Sequence, residues 1–494
     1  MIIEFISILI VFISGFTFLY SLGIRGYSTI PLGFIIGLSM QIIIGGFQII
    51  TTISTTPILT LLIILALPFI WLLCVKNSYK IDRDGISRFC LHLSIIFIVV
   101  SISIIFFFNE GWVKWSYDSL RYILSSKIFY DNRISILSED LLTKRLFGVP
   151  VVHMPAQMSG ENYLRSVFPL LGITTVTSFM FFVKLSLKKH LSSKKIWVLV
   201  IIGGLLLVSN NRFIWNWFYL NNHLICAALV MVMSACGWLI IHDKESYSKC
   251  FFPLIIIVIP ALIFTRPESV IIASVAIIPM IFSEIFSQKQ KMILLTCLGS
   301  STTTFYGYTF FLLGGDFRQP HTLYLLYGIL VICIAFIFRY IYKLKILSFL
   351  VKRATGITEI FIWTVLILFF LLNPQVMIIS LKATYENIVL GEGLWGLSLV
   401  TLSVIIIITV ILIKLPENIS ILRLPVTSFL PIMFLLPYLR GGAYRVGAGD
   451  SLNRMLVQII PLTVYFLVVL IGLGKPRFAR SKVNETYYSN PMLQ

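Results

Sequence analysis

Apolar runs long enough to cross a lipid bilayer recur along this chain from end to end, and nothing else restricts its fold as strongly. Ile95 to Phe108 and Met455 to Leu473 contain no charged residue. About 20 apolar residues in a helix cover the roughly 30 Å of membrane hydrocarbon. Unpaired backbone groups are costly in lipid, so each run is expected to be helical. Composition agrees with this. Of 494 residues, 58% are hydrophobic and 12% charged, against about 25% charged in soluble chains. No polar stretch is long enough to make a separate soluble domain. The expected class is therefore an all-α, polytopic membrane protein.

Candidate spans fall at 1–23, 29–51, 55–75, 90–108, 167–187, 195–210, 217–241, 250–264, 268–286, 291–313, 322–343, 358–381, 394–413, 425–438 and 455–474. Segments 250–264 and 268–286 read either as two short crossings or as one re-entrant hairpin. The expectation is roughly 13 to 15 transmembrane helices. Met1 to Leu22 lacks a basic start and an evident small-residue cleavage site, so it reads as the first span. The chain divides into 1–89 (N-terminal helices and a cytoplasmic loop), 90–474 (the main membrane domain) and 475–494 (a cytoplasmic tail).

The net charge of +19 is distributed in a telling way. Taking loops alternately, one set carries Lys76, Lys80, Arg83 and Arg88, then Lys184, Lys188, Lys189, Lys194 and Lys195. It continues through Lys244, Lys249, Arg339, Lys343, Lys345 and the tail residues Lys475 to Lys482. Basic loops stay on the cytoplasmic side. The expected orientation is N-terminus outside and C-terminus inside, in the cytoplasmic membrane. The positive charge is then a topology signal, and nucleic acid is not an expected partner.

Three absences narrow the chemistry. The seven cysteines form no CxxC pair, which disfavours a disulfide framework or a zinc site. Asp82-Arg83-Asp84 reads as a solvated turn in a basic loop. No P-loop is present, which disfavours an ATP-driven pump. No cofactor and no metal are expected.

The opposite, outer side carries the polar constellations. Its largest loop runs from 109 to 166. Apolar positions from Tyr117 to Tyr130 recur at helical spacing and predict a helix at the membrane surface. Asp118 sits at its start, where a carboxylate suits two roles. It can take a proton from a hydroxyl, or it can simply favour the helix N-terminus. Tyr122 lies one turn on. His153 precedes the return to the membrane, with Glu161 and Arg165 four apart beyond it. Asn210, Asn211 and Arg212 end the sixth span, and Asn221, Asn222 and His223 begin the seventh. Asn222 and His223 are candidates for a cavity wall or for interfacial packing with Trp215 and Trp217. Thr265-Arg266-Pro267-Glu268 interrupts an apolar stretch. There Arg266 and Glu268 either support a helix break or line a cavity. The last outer loop sets Arg440, Arg445 and Arg454 with Tyr444 and Asp450 in a glycine-rich frame. Arginine forks suit phosphate, and glycines admit an anion to the backbone. Ordinary lipid headgroups would suit the same arginines.

The order of these features resembles the GT-C superfamily of polytopic glycosyltransferases, from about Ser94 to the last span. The resemblance rests on Trp115-Ser116-Tyr117-Asp118-Ser119 after a span, on the Thr265-Arg266-Pro267-Glu268 break, and on Gly449-Asp450-Ser451-Leu452-Asn453-Arg454 leading into Pro461. It implies a GT-C-like fold with a large first outer loop. It also implies a polyprenyl-phosphate sugar donor and a glycan, lipid or protein acceptor, with membrane lipids around them. By the same resemblance Asp118 is the base, and Arg440, Arg445 and Arg454 hold the donor phosphate. Two alternatives stand beside it. One is a polymerase or ligase of lipid-linked surface polysaccharide, which uses outer arginines and a histidine. The other is a lipid-linked-sugar transporter, which places polar residues at mid-membrane depth.

Overall fold

The computed structural model describes the chain except residues 52–55, 75–82, 108–111, 115, 135–146, 316, 318–319, 342–344, 417, 441 and 478–494, and except the side chains of 73–74, 83–86, 320, 339–341, 345–352 and 437–440. The described part is helical. In chain order the helices are α1 (Ile2–Ser21), α2 (Ile30–Ile50), α3 (Pro57–Cys74), α4 (Arg83–Phe107), α5 (Tyr117–Tyr130), α6 (Gly148–His153), α7 (Val167–Leu187), α8 (Ser193–Val208), α9 (Asn211–Trp215), α10 (Asn222–His242), α11 (Lys244–Ile263), α12 (Ser269–Phe282), α13 (Gln288–Leu312), α14 (Pro320–Ile341), α15 (Lys345–Leu372), α16 (Pro374–Ile388), α17 (Ser398–Leu412), α18 (Ser420–Arg440), α19 (Ser451–Met455) and α20 (Ile460–Leu473). The strands β1 (Ile413–Lys414) and β2 (Lys475–Pro476) form one short antiparallel pair.

Among the described residues, eight helices are long and apolar enough to cross a membrane: α1, α2, α4, α7, α10, α11, α14 and α15. Two bent pairs raise the number to 10. One joins α8 to the segment ending at Phe218 with a bend of 66°, and the other joins Ser451–Gln458 to α20 with a bend of 44°. The chain is a multi-pass helical membrane protein, and its described residues hold fewer full-length spans than its hydropathy suggests. Helices α12 and α17, at 14 and 15 residues, account for part of the difference. Prolines set some of these limits. Segment 358–381 reads as one span, but the helix stops at Leu372 and restarts at Pro374 as α16. Proline has no N–H to give to the preceding turn and suits the start of a new helix.

Helix α10 forms the centre. It is buried along its length and packs against α7, α11, α12, α18 and α20. Small residues bring other helices into backbone contact, which is how helices associate where lipid supplies little hydrophobic drive. A Cβ on Gly15 of α1 would lie 1.9 Å from the Gly33 carbonyl oxygen of α2.

Turns gather at two ends. At one, Lys189 in the α7–α8 turn meets Asp243 in the α10–α11 turn at 2.5 Å, and Gln290 donates to Ser248 Oγ at 2.8 Å. At the other lie segments 112–122, 210–223, 387–396 and 444–458. There the Lys114 N–H donates to the Phe218 carbonyl at 2.6 Å, and the Trp395 indole donates to Asn453 Oδ1 at 2.9 Å.

Among its described residues, the expected large loop at 109–166 contains two α-helices. Helix α5 has the predicted bounds Tyr117–Tyr130, and α6 is buried throughout. Glu139, Asp140, Lys144 and Arg145 of this loop lie outside the described residues, as does Asp82 of the Asp-Arg-Asp turn.

Candidate functional site

The site is built where three distant segments meet. Ser116 caps α5, accepting from the Ser119 N–H at 3.3 Å, so Asp118 falls in the first turn, where the helix dipole favours negative charge. The segment before α5 runs alongside residues 218–219, with a parallel bridge between Lys114 and Tyr219. Ser116 Oγ donates to the Tyr219 hydroxyl at 2.8 Å. The third segment is α19, capped by Asp450. That carboxylate accepts from the backbone N–H of Leu452 at 2.9 Å, Asn453 at 3.3 Å and Arg445 at 2.9 Å. Arg454 projects from α19. Its Nη1 donates to Asp118 Oδ2 and, at 3.2 Å, to the Tyr219 hydroxyl. The Asp118 and Arg454 side chains are 14% and 18% exposed, so the pair is reachable from outside.

Each of the three segments repeats its contribution one turn deeper. Four residues beyond Asp118, Tyr219 and Arg454 lie Tyr122, His223 and Gln458, all buried. Gln458 Nε2 lies 2.9 Å from His223 Nδ1 and donates to Glu268 Oε1 at 3.3 Å. Arg266 Nε donates to Glu268 Oε1 at 2.5 Å, and its Nη1 lies 3.4 Å from His223 Nε2. Tyr122 lies within electrostatic reach of Arg266. Glu268 is fully buried and Arg266 is 7% exposed. Burying such charges costs several kcal/mol per ion, which only close pairing and hydrogen bonding offset. The Thr265–Glu268 break between α11 and α12 thus seats an ion pair beneath the Asp118–Arg454 pair.

A further cation lies beside the upper pair. Arg212 in α9 is fully buried. Its guanidinium sits 4.6 Å over the Trp215 ring, and Nη2 donates to the Ala448 carbonyl at 2.5 Å. Its Nε and Nη1 have no hydrogen-bond partner among the described residues. Arg454, Tyr219 and Asp450 lie within its electrostatic reach. The adjoining loop is tied down by Asn387, whose amide donates to the Arg445 carbonyl at 2.8 Å and accepts from the Gly447 N–H at 2.7 Å. Open space borders this loop, since a Cβ on Gly442, Gly447 or Gly449 would meet nothing within 4 Å. From the sequence, Arg212 read only as the polar end of a span. Its burial and its unpaired N–H groups appear only in three dimensions.

No family model, no curated protein and no solved structure matches this chain.

The other candidate residues fall into different settings. Tyr444 is fastened into the core, its hydroxyl donating to the Met433 carbonyl and its N–H to Ser380 Oγ. Arg445 is exposed at the rim, while the Arg440 side chain lies outside the described residues. Asn222 is a clasp between segments: it accepts from the Val149 N–H at 2.8 Å and donates to the Thr265 carbonyl at 2.7 Å. His153 is not among the polar groups of either tier. Its Nδ1 accepts from the Leu164 N–H at 3.0 Å and its ring stacks on Phe168. Burial pushes its pKa down to about 3, which keeps the ring neutral. Among the described residues no three His, Cys, Asp or Glu side chains converge as metal ligands would.

Proposed function

We propose that this protein is a membrane glycosyltransferase that moves a sugar from a polyprenyl-phosphate donor to a glycan, lipid or protein acceptor. The observation that carries the reading is the Asp118–Arg454 pair, a partly exposed carboxylate and guanidinium at one end of an apolar helical bundle, with a second, buried guanidinium beside it. The chemistry follows from those groups. Asp118 takes the proton of the acceptor hydroxyl. The acceptor oxygen bonds to the anomeric carbon as that carbon's bond to the phosphate oxygen breaks. The polyprenyl phosphate leaves with the bonding electrons, and the arginines meet its added charge. Attack from the face opposite the leaving group inverts the anomeric carbon. In this reading the site faces away from the cytoplasm, on the side that the loop charges indicate.

One observation favours a second reading. The Arg266–Glu268–His223–Gln458 cluster is the kind of buried polar group that a carrier for lipid-linked sugars holds between its helices. A polymerase or ligase of lipid-linked glycans would use the same arginines with a different acceptor. Mass spectrometry of surface and lipid-linked glycans separates these, comparing wild type, a deletion, and the deletion complemented with Asp118→Asn. Loss of one defined sugar in both altered strains supports transfer. Accumulation of single repeat units points to polymerisation. Full restoration by Asp118→Asn rejects Asp118 as the base.

A further inference from the structure

We infer that Arg212 and Arg454 together bind a phosphate-type oxyanion against the 442–450 loop, and that the anion competes with Asp118 for the Arg454 guanidinium. The anion site stands on the geometry; its identification as the donor phosphate rests on the transfer reading above.

The first ground is Arg212. A guanidinium carries five N–H donors and stays charged. Here it is fully buried, Nη2 donates to the Ala448 carbonyl, and Nε and Nη1 have no acceptor among the described residues. A buried charged group with unmet donors is expensive, and an oxyanion is the acceptor that answers charge and donors together. Trp215 fixes the guanidinium plane from one side.

The second ground is the company it keeps. Arg212 stacks on Trp215, whose ring lies 4.3 Å from that of Tyr219, and the Tyr219 hydroxyl accepts from Arg454 at 3.2 Å, so the two guanidinium groups flank one aromatic pair. Two guanidinium groups held near each other in a desolvated setting favour an anion between them. The adjoining loop leaves open space at Gly442, Gly447 and Gly449, and Gly447 has φ 110°, a conformation L side chains rarely adopt. The backbone can therefore approach a ligand where a side chain would obstruct it.

The third ground concerns Asp118. In the unliganded protein its Oδ2 takes the Arg454 Nη1 donor. An ion-paired carboxylate accepts a proton less readily than a free one. The Asp450 carboxylate caps α19 and accepts from Arg445, Leu452 and Asn453, while its backbone carbonyl accepts from Arg454 Nε at 3.4 Å. An arriving phosphate competes with Asp118 for the same guanidinium. Anion binding therefore loosens the Arg454 contact to Asp118, and the two ligands of the guanidinium are coupled.

The test uses purified full-length protein in nanodiscs, titrated with inorganic phosphate and with a short-chain prenyl phosphate. Binding is read by tryptophan fluorescence, and Trp215→Phe identifies the contribution of the indole under Arg212. Arg212→Gln is expected to weaken both ligands at least tenfold, and Arg212→Lys to recover part of the loss. Asp118→Asn is expected to tighten binding severalfold, because Arg454 is freed. A purely structural role for Arg212 and Asp118 predicts no such opposite shifts. Unchanged affinity in Arg212→Gln, or unchanged or weaker affinity in Asp118→Asn, overturns the inference. If Arg212→Gln does not fold, the Asp118→Asn result decides alone. Prenyl phosphate should bind at least tenfold tighter than inorganic phosphate, and equal affinities overturn the lipid source. Sugar transfer that persists with unchanged phosphate affinity in Arg212→Gln sinks this inference and leaves the transfer reading intact. The expected binding pattern without any sugar transfer sinks only the transfer reading.

Discussion

Arg454 Nη1 donates to Asp118 Oδ2 across 336 residues of sequence, and Tyr219 joins the same guanidinium at 3.2 Å. The contact ties the start of α5 to α19 beside the turn that enters α10. Asp118→Asn keeps the shape and removes the charge. In the transferase reading it lowers turnover roughly 100- to 10,000-fold, the range for losing a general base. Arg454→Lys keeps the charge but loses the planar fork, so it should recover only a minor share of activity. Steady-state transfer to a defined acceptor measures both. Wild-type turnover in Asp118→Asn would remove the carboxylate from the mechanism.

The deeper pair makes a stability prediction. Glu268 is fully buried against Arg266, with His223 and Gln458 closing the cluster. Glu268→Gln leaves the guanidinium uncompensated and should cost about 3–5 kcal/mol. The double change Arg266→Met with Glu268→Leu removes both charges and should cost clearly less than the single change. Thermal unfolding of the detergent-purified variants gives the comparison. If the double variant is the less stable, the pair contributes more than mutual compensation.

These two tiers show what was legible in the sequence. Hydropathy gave the helical class, and the spacing from Tyr117 to Tyr130 gave α5 to the residue. Asp118, Tyr122, His223, Arg266, Glu268 and Arg454 stood out because polar groups are scarce in apolar surroundings. Their pairing did not stand out, since Asp118 and Arg454 are brought together by packing of the whole bundle. Asp450 read as a cavity residue, and that its carboxylate caps α19 is visible only in the structure. Arg212 looked like a span terminus, because nothing local reveals that its N–H groups point away from water. Gln458 and Tyr219 are ordinary in the chain and acquire meaning only as partners of His223 and Arg454.

His153 supplies a pH dependence. Its folded pKa is depressed from 6.5 to about 3 by burial. The unfolded chain therefore binds a proton that the folded chain refuses. The stability held by the neutral ring is fully present above about pH 6.5 and is lost as the pH falls toward 3. Between pH 7.5 and 5 the expected loss is about 2 kcal/mol. His153→Gln should flatten that slope while lowering stability at neutral pH, because the Leu164 N–H loses its ring acceptor. Melting temperatures at the two pH values test it. An equally steep slope in the variant would assign the acid sensitivity to another group.

Glycine substitutions test the packing of the first two helices. A Cβ at Gly15 would sit 1.9 Å from the Gly33 carbonyl oxygen and 2.4 Å from the Gly37 backbone nitrogen. Neither neighbour is a side-chain end that can swing aside, so Gly15→Val must push α1 off α2. Overpacking of this kind costs about 1–3 kcal/mol, and backbone contact puts this site at the upper end. Gly356 within α15 is the control, since a Cβ there meets nothing within 4 Å. Gly356→Ala should be neutral or stabilise by about 0.5–1 kcal/mol, because alanine loses less backbone entropy in a helix. Of the two, only Gly15→Val should therefore lower the unfolding temperature. A Gly15→Val protein as stable as wild type would mean that α1 and α2 do not meet through backbone contact at Gly15.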